Sequence, residues 1–543
     1  MFLSAIAAAL ALAGQAVGAA SDTVPLYDNL GDYHRQITTT VPAAQKYFDQ
    51  GLRLYYAFNH PEAIRAFRAA QQLDSLCAMC YWGEALAWGP NINMPMDSAG
   101  GVAARASLQR ALALRSRASK VERGLIDALD ARYAPPEQAA APRAALDSAY
   151  ATAMAGVARA HARDQDVAVL YGESLMDLRP WDYWTADGSL QPGMDAALSR
   201  LERVVASNPR HPGACHFYIH AVEAAHPERA VPCAERLAAL MPGAGHIVHM
   251  PGHIYIRVGR YMDAVRANEH AVHADETFIR DQRPGTSVYT ASYYPHNFDF
   301  LAFAAAMAGR AEQAMGAADR QASVISAAML TAPGMTFLQH HITRRLQVRV
   351  RFGRWDEILA TPAPSGELPH AAGMWHYARG RALAATGKLD EAEAELALVH
   401  AAATDPRLAG VRLEFNESPA ILGIAEHLLA GSIAGARSDH AAAVTHLREA
   451  AALEHGLTYG EPPDWTVPVR HDLGAALLAA GRAPEAEQVY REDLKRFPDN
   501  GWSLLGLSQA LRAQGRTAEA DRAMAGFRRA WSAADVEISS SRF

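Results

Sequence analysis

Two histidine pairs stand at helical spacing in this chain. His216 and His220 are four residues apart, His249 and His253 are four apart, and the second pair follows the first by 33 residues. An i, i+4 pair projects two imidazoles from one face of a helix, which is how one helix offers two ligands to one metal; imidazole suits zinc, copper and iron. Glu223 lies about 10 Å along the axis from His216, too far for both to reach one ion together with His220. The better arrangement takes one pair from each helix, with Glu223, His296 or Asp299 as an extra ligand, an outer partner or a base. Pro251, between His249 and His253, either kinks or starts its helix. The plainer alternatives are polar residues that bind an organic ligand or a partner's tail, and core histidines satisfied by backbone carbonyls.

The elements that must position these residues show in a recurring phrase. Gly259-Arg260-Tyr261-Met262-Asp263-Ala264 returns in related form at Gly309, Gly353, Gly387, Gly481 and Gly515. From Gly353 to Gly387, and from Gly481 to Gly515, the interval is 34 residues. A glycine turn at that period between two apolar-periodic helices is the tetratricopeptide repeat (TPR) signature. The expected fold is therefore all-α, a TPR-type α-solenoid in which each helix pair buries its apolar face on its neighbours. Near the N-terminus, Gly51 to Ala70 fits the pattern with Asn59-His60-Pro61-Glu62-Ala63 at the turn. No sustained period-2 run or Asn-Gly hairpin signal argues for strands.

Counting each repeat so that the turn glycine is the fifteenth position puts His246, His249 and His253 at positions 2, 5 and 9. One repeat earlier, with His226 in the glycine's place, His216, His220 and Glu223 fall at 5, 9 and 12. One repeat later His296 and Asp299 fall at 2 and 5. These positions share one helical face, and in TPR proteins the resemblance implies that this face lines the concave groove. A second echo pairs Trp82-Gly83-Glu84 with Tyr171-Gly172-Glu173, each followed by a proline-led loop. Asn91 and Asn93 in one loop, and Trp181, Asp182 and Trp184 in the other, are either lids over a groove or packing plugs. With Glu173 they form the expected ligand groove.

The chain has 543 residues, 50% hydrophobic and 20% charged, with 51 basic against 58 acidic residues. A formal net charge of −7 provides no positive field for a phosphate backbone, so no nucleic acid is expected as partner. The apolar run from Phe2 to about Ala13 and the small residues Val17 and Ala19 suit a signal peptide over 1–19, hence export to the periplasm or beyond. No later uninterrupted apolar stretch reaches membrane-spanning length, so no membrane span is expected. Four cysteines make no disulfide framework; Cys77 with Cys80, and Cys215 with Cys233, are the pairs open to bridging in an oxidising compartment. The mature chain divides into N-terminal helices with Trp/Asn-rich loops over 20–190, a central His-rich segment over 191–345, and C-terminal repeats over 346–543.

The segments His211-Pro212-Gly213-Ala214, Tyr218-Ile219-His220-Ala221-Val222-Glu223-Ala224 and Gly245-His246-Ile247-Val248-His249-Met250-Pro251-Gly252-His253 resemble a poorly characterised group of exported bacterial TPR proteins. Tyr294-Pro295-His296-Asn297 and Glu461-Pro462-Pro463-Asp464-Trp465 resemble it too. The resemblance implies the fold and little about activity, and the group carries histidine near the position of Asp299. Two readings follow. One is a metal-binding protein with metal-dependent hydrolytic or oxidative chemistry on a small molecule or peptide, its zinc, copper or iron on the histidines above and Glu223 or Glu84 as acid or base. The other is a non-catalytic adaptor gripping a protein or peptide partner in the same groove.

Overall fold

The computed structural model describes residues 24–96, 98–133, 141–185, 187–287, 289–332 and 335–543; the expected signal peptide lies outside them. The chain is built of α-helices in sequential pairs, from Pro42–Tyr56 with His60–Leu73 to Gly501–Ala513 with Thr517–Ala530. Among the described residues the only β-type pairings are isolated bridges such as Asn91 with Met94. The all-α expectation therefore holds.

The turns are made as the repeated phrase requires. Gly259, Gly309, Gly353, Gly387, Gly481 and Gly515 all have φ between 62° and 80°, the left-handed conformation that a Cβ disfavours. The residue after each bonds back five positions, as in Arg260 N–H to Tyr255 O at 2.8 Å and Lys388 N–H to Leu383 O at 2.9 Å, closing the helix C-terminus in a Schellman turn. Phe58 occupies the equivalent place in the N-terminal repeat. It takes φ 55° without being glycine, and Asn59 N–H bonds Leu54 O at 3.0 Å.

The chain forms two compact units. The first comprises the described residues up to Ile254 together with His270–Tyr294; the second comprises Tyr255–Glu269 and Pro295–Phe543. In the second, Ile421, Leu422, Ile424, Ala425, Leu428 and Leu429 form one continuous apolar core with Met374, Tyr377 and Trp465. The first six belong to Ser418–Ala436, the one described helix long and apolar enough to cross a membrane, whose apolar side is spent on this core. Cys77 and Cys80 are joined in a disulfide in the first unit, while the Cys215 and Cys233 thiols face each other, buried, at 2.7 Å.

Candidate metal centre

The first ligand helix, Pro212–Val222, starts cleanly. Pro212 stands in its first turn, where no N–H is needed, and the His211 side chain accepts from Ala214 N–H at 3.1 Å. Every residue of this helix is buried, including His216 and His220, so the two imidazoles enter the interior rather than an open surface. The second ligand segment begins as the short helix Gly245–His249 and resumes at Pro251. Met250 between them keeps helical dihedrals, so the proline interrupts the hydrogen-bond ladder without turning the chain away. His249 and His253 accordingly stay together, their Nε2 atoms 2.8 Å apart.

The protonation pattern can be read from the partners. His216 Nδ1 is 2.6 Å from the Tyr56 carbonyl, which can only accept, so Nδ1 carries the hydrogen and Nε2 is left as a lone pair. His220 Nδ1 is 3.0 Å from Glu223 Oε1, and its Nε2 is buried with no hydrogen-bond partner. His246 Nε2 lies 3.1 Å from His216 Nε2, and its Nδ1 is likewise buried and unbonded. One nitrogen from each of His216, His220 and His246 can be chosen so that all lie within 4.8 Å of one another. A nitrogen of His220, a carboxylate oxygen of Glu223 and a nitrogen of His253 likewise lie within 4.8 Å of one another. Two imidazoles on a tetrahedral zinc place their nitrogens about 3.4 Å apart, given Zn–N bonds of about 2.0–2.1 Å. The first cluster is thus close to a ligand set as it stands, and its orphaned nitrogens are what a cation would satisfy.

Burial drives the His216 and His246 imidazoles well below the ordinary histidine range, and neighbouring histidines add to the effect; both are neutral at pH 7. His220 is also lowered by burial, against the pull of Glu223. Burial would raise Glu223, but His253 and His220 outweigh it and bring the carboxyl down to about 2. Neutral imidazoles with an ionised carboxylate behind them are the form in which such residues bind metal.

Aromatic groups wall the cluster. The ring of Phe58 is 4.5 Å from His216 and 5.4 Å from His246, and Tyr293 is 4.8 Å from His246. Trp181 packs edge-on to His220 at 5.1 Å and donates Nε1–H to Asn93 Oδ1 at 3.2 Å, while Asn93 reaches the Tyr293 hydroxyl at 3.4 Å. Asn93 and Trp181, expected from their loops to line a groove, thus meet above the histidines, and Trp181 is held at φ 66°. Trp184 donates to Ala221 O at 2.8 Å, pinning its loop to the ligand helix. Asn91 is buried and caps its own loop through the Asn93 and Met94 N–H groups. Asp182 is exposed and accepts from Gln191.

Other expected residues have different partners. Glu84 accepts from Arg68 and Gln71, both at 2.7 Å. Glu173 accepts from the Tyr55 hydroxyl at 2.6 Å, and burial with Asp177 nearby raises its carboxyl. In the second unit Asp299 is buried against Arg344, with Oδ1 3.0 Å from the guanidinium, and His296 packs on Phe300 at 5.0 Å. Reasoning from sequence did not single out Tyr56, Phe58 or Tyr293. Phe58 carried a signal, since it stands where the other turns have glycine; a backbone carbonyl such as that of Tyr56 carries none.

No protein-family model matches the chain, and no curated protein matches it significantly. Among solved structures it is distantly similar to a monomeric mutant of IFIT1 with Gppp-AAAA, at 11% identity over 90% of both chains and a TM-score of 0.31. The human IFIT1 dimer with PPP-AAAA matches at 13% identity over 88% of both chains, TM-score 0.31. The P58(IPK) TPR domain matches at 12% identity over 87% of this chain and 99% of that one, TM-score 0.21.

Proposed function

We propose that the first unit is a metal-binding TPR solenoid in which His216 and His220 hold a transition metal through Nε2 and His246 through a ring nitrogen, with Glu223 behind them. The observation that carries this is the pair of fixed Nδ1 hydrogens. His216 gives its hydrogen to the Tyr56 carbonyl and His220 gives its own to Glu223, so both Nε2 lone pairs stand inside a buried cluster where the His220 atom has no partner. An unsatisfied buried acceptor costs roughly 1–3 kcal/mol, a cost a cation removes. A metal held by these residues would supply Lewis-acid activation of water or, if redox-active, oxidation.

The chain's own groups have separate tasks in this reading. Glu223 orients His220 through one carboxylate oxygen and His253 through the other, accepting from both. Asn93 and Trp181 cover the cluster and exclude bulk water, so a small molecule or peptide would enter by displacing them. Glu84 and Asp299, each already ion-paired, are left out of the proposed machinery. We further propose export: the apolar N-terminal run has signal-peptide character, and the Cys77–Cys80 bridge suits an oxidising compartment.

Metal analysis of protein purified without a histidine tag tests the reading. About one ion per chain is expected, with chelation lowering the melting temperature because the ion binds only the folded chain. His220→Ala should abolish both effects. His376→Ala should leave both intact, since His376 pairs with Glu395 in the second unit. Protein that is metal-free as isolated, and whose melting point ignores zinc, copper, iron and chelator, would favour the peptide adaptor.

A further inference from the structure

The first unit has a second concave feature that none of its candidate ligands lines. A cleft of about 490 Å3 is bounded by Tyr27–Leu30, the turn Pro242–Ala244 and one face of the helical residues His270–Gln282. Positions 270, 273, 274, 277, 278 and 281 recur at i, i+3, i+4, i+7, i+8 and i+11, a single helical stripe. Its body is apolar, with Leu54, Val248 and Phe278 in the lining, and its volume falls within the usual range for small-molecule sites. Gly243 lets Asn29 close one end: a Cβ there would sit 2.2 Å from Asn29 Cγ, and Gly243 N–H bonds Asn29 O at 2.8 Å.

The polar groups at this cleft are unevenly committed. The Tyr289 hydroxyl donates to Asp275 Oδ1 at 2.6 Å and bonds the His246 main chain, so it presents only ring surface. The Tyr27 hydroxyl donates to Glu62 at 2.8 Å. Asp281 is matched by Arg280 through two contacts, of 2.8 and 3.2 Å, which offsets its charge. His270 and His273 are exposed on the same stripe and have no partner among the described residues. The uncommitted donors of the lining include these two imidazoles together with the Asn29 and Gln282 amides and the Thr277 hydroxyl, above an apolar floor.

We propose that this cleft binds a small organic acid, its ring or short alkyl body between Leu54, Val248 and Phe278 and its carboxylate on His270 and His273. The assignment does not depend on the metal centre. Imidazole N–H groups favour an anionic acceptor, and hydrogen bonds to an ionised group are roughly twice as strong as neutral ones. The apolar floor sets the rest of the ligand, since each buried methylene contributes about 0.8 kcal/mol to transfer from water.

Anilinonaphthalene sulfonate, an aromatic body with an anionic head, is the probe. Its fluorescence should rise saturably with one site per chain, and naphthylacetic acid should displace it better than naphthylacetamide. Ala239→Trp fills the cleft from an exposed lining position and should weaken probe binding at least about tenfold. The double variant His270→Ala/His273→Ala, at exposed sites that leave the fold intact, should weaken it about tenfold and erase the preference for acid over amide. Full affinity in Ala239→Trp, or non-saturable binding, would overturn the site. Equal competition by acid and amide would overturn the ligand class.

Discussion

His220 and Glu223, one helical turn apart, are joined by an Nδ1–H···Oε1 hydrogen bond of 3.0 Å, and the other oxygen of Glu223 takes His253 Nδ1 at 2.5 Å. One carboxylate therefore orients an imidazole from each of the two histidine pairs that the 33-residue displacement singles out. Because Glu223 is ionised it can only accept, and both histidines must donate to it.

Glu223→Gln tests that role. The amide offers one acceptor and one donor, so one of the two imidazoles loses its partner or turns to the other tautomer. Metal affinity measured by chelator competition should fall about 10–100-fold with helicity unchanged. Unaltered affinity would remove Glu223 from the support of the centre.

Phe58 carries both a strained backbone and a ring in the cluster. Phe58→Ala should cost about 3–5 kcal/mol, because it empties the space beside His216 and keeps a Cβ at φ 55°. Phe58→Gly loses the same ring but relieves the left-handed strain, and should be more stable than the alanine variant by about 1 kcal/mol. Urea denaturation of the pair decides it; the usual order, alanine above glycine, would mean the turn is not held in this conformation.

Trp181 covers His220 in the proposed site, so its removal should act on rates. In Trp181→Ala a chelator should strip the metal about tenfold faster, as expected if the lost ring and indole hydrogen bond contribute about 1.4 kcal/mol to closure. Stopped-flow chelation reads this directly. An unchanged rate would mean that the ion leaves by another route.

Acid sensitivity has a source away from the proposed centre. His370 is pushed down to about 3 by burial, with Arg344 adding to the effect, and it bonds His340 and Ser418 as a neutral ring. The unfolded chain protonates this histidine near pH 6.5 and the folded chain does not. Its contribution is therefore complete above about pH 6.5 and is lost as pH falls toward 3. From pH 7 to 5 the loss is about 2 kcal/mol for this one group. His370→Gln should flatten the dependence of the urea midpoint on pH by that amount; a slope as steep as in the unaltered protein would assign the sensitivity elsewhere.

The repeat architecture was legible because the same turn recurs. A glycine at φ between 74° and 80° followed by a bond five residues back is a local event, so Gly259, Gly387 and Gly515 declare it in sequence. The shared helical face of His216, His220, His246, His249 and His253 was legible from the repeat count, but the preferred ligand set joined the first two to His249 and His253 at matching positions, whereas the atoms of His246, at position 2, are the ones that lie with them. What stayed hidden depends on partners far along the chain. Asp299 looked like a free carboxylate until Arg344 came against it, and Glu84 until Arg68 and Gln71 did. Phe58 was missed because a turn usually made by glycine was made here by a residue with a ring to place.

The carbonyl that orients His216 belongs to Tyr56, 160 residues earlier in the chain. As the polypeptide emerges from synthesis, Tyr56 is made long before either histidine pair, and nothing local can assemble the pocket around it. Pairings this remote in sequence form late, after the loop between them has been closed by intervening helices. A nascent chain therefore offers scattered imidazoles to any passing cation, while the finished cluster offers a sorted one. On the proposed metal reading, the ion is therefore chosen where the first unit completes its folding.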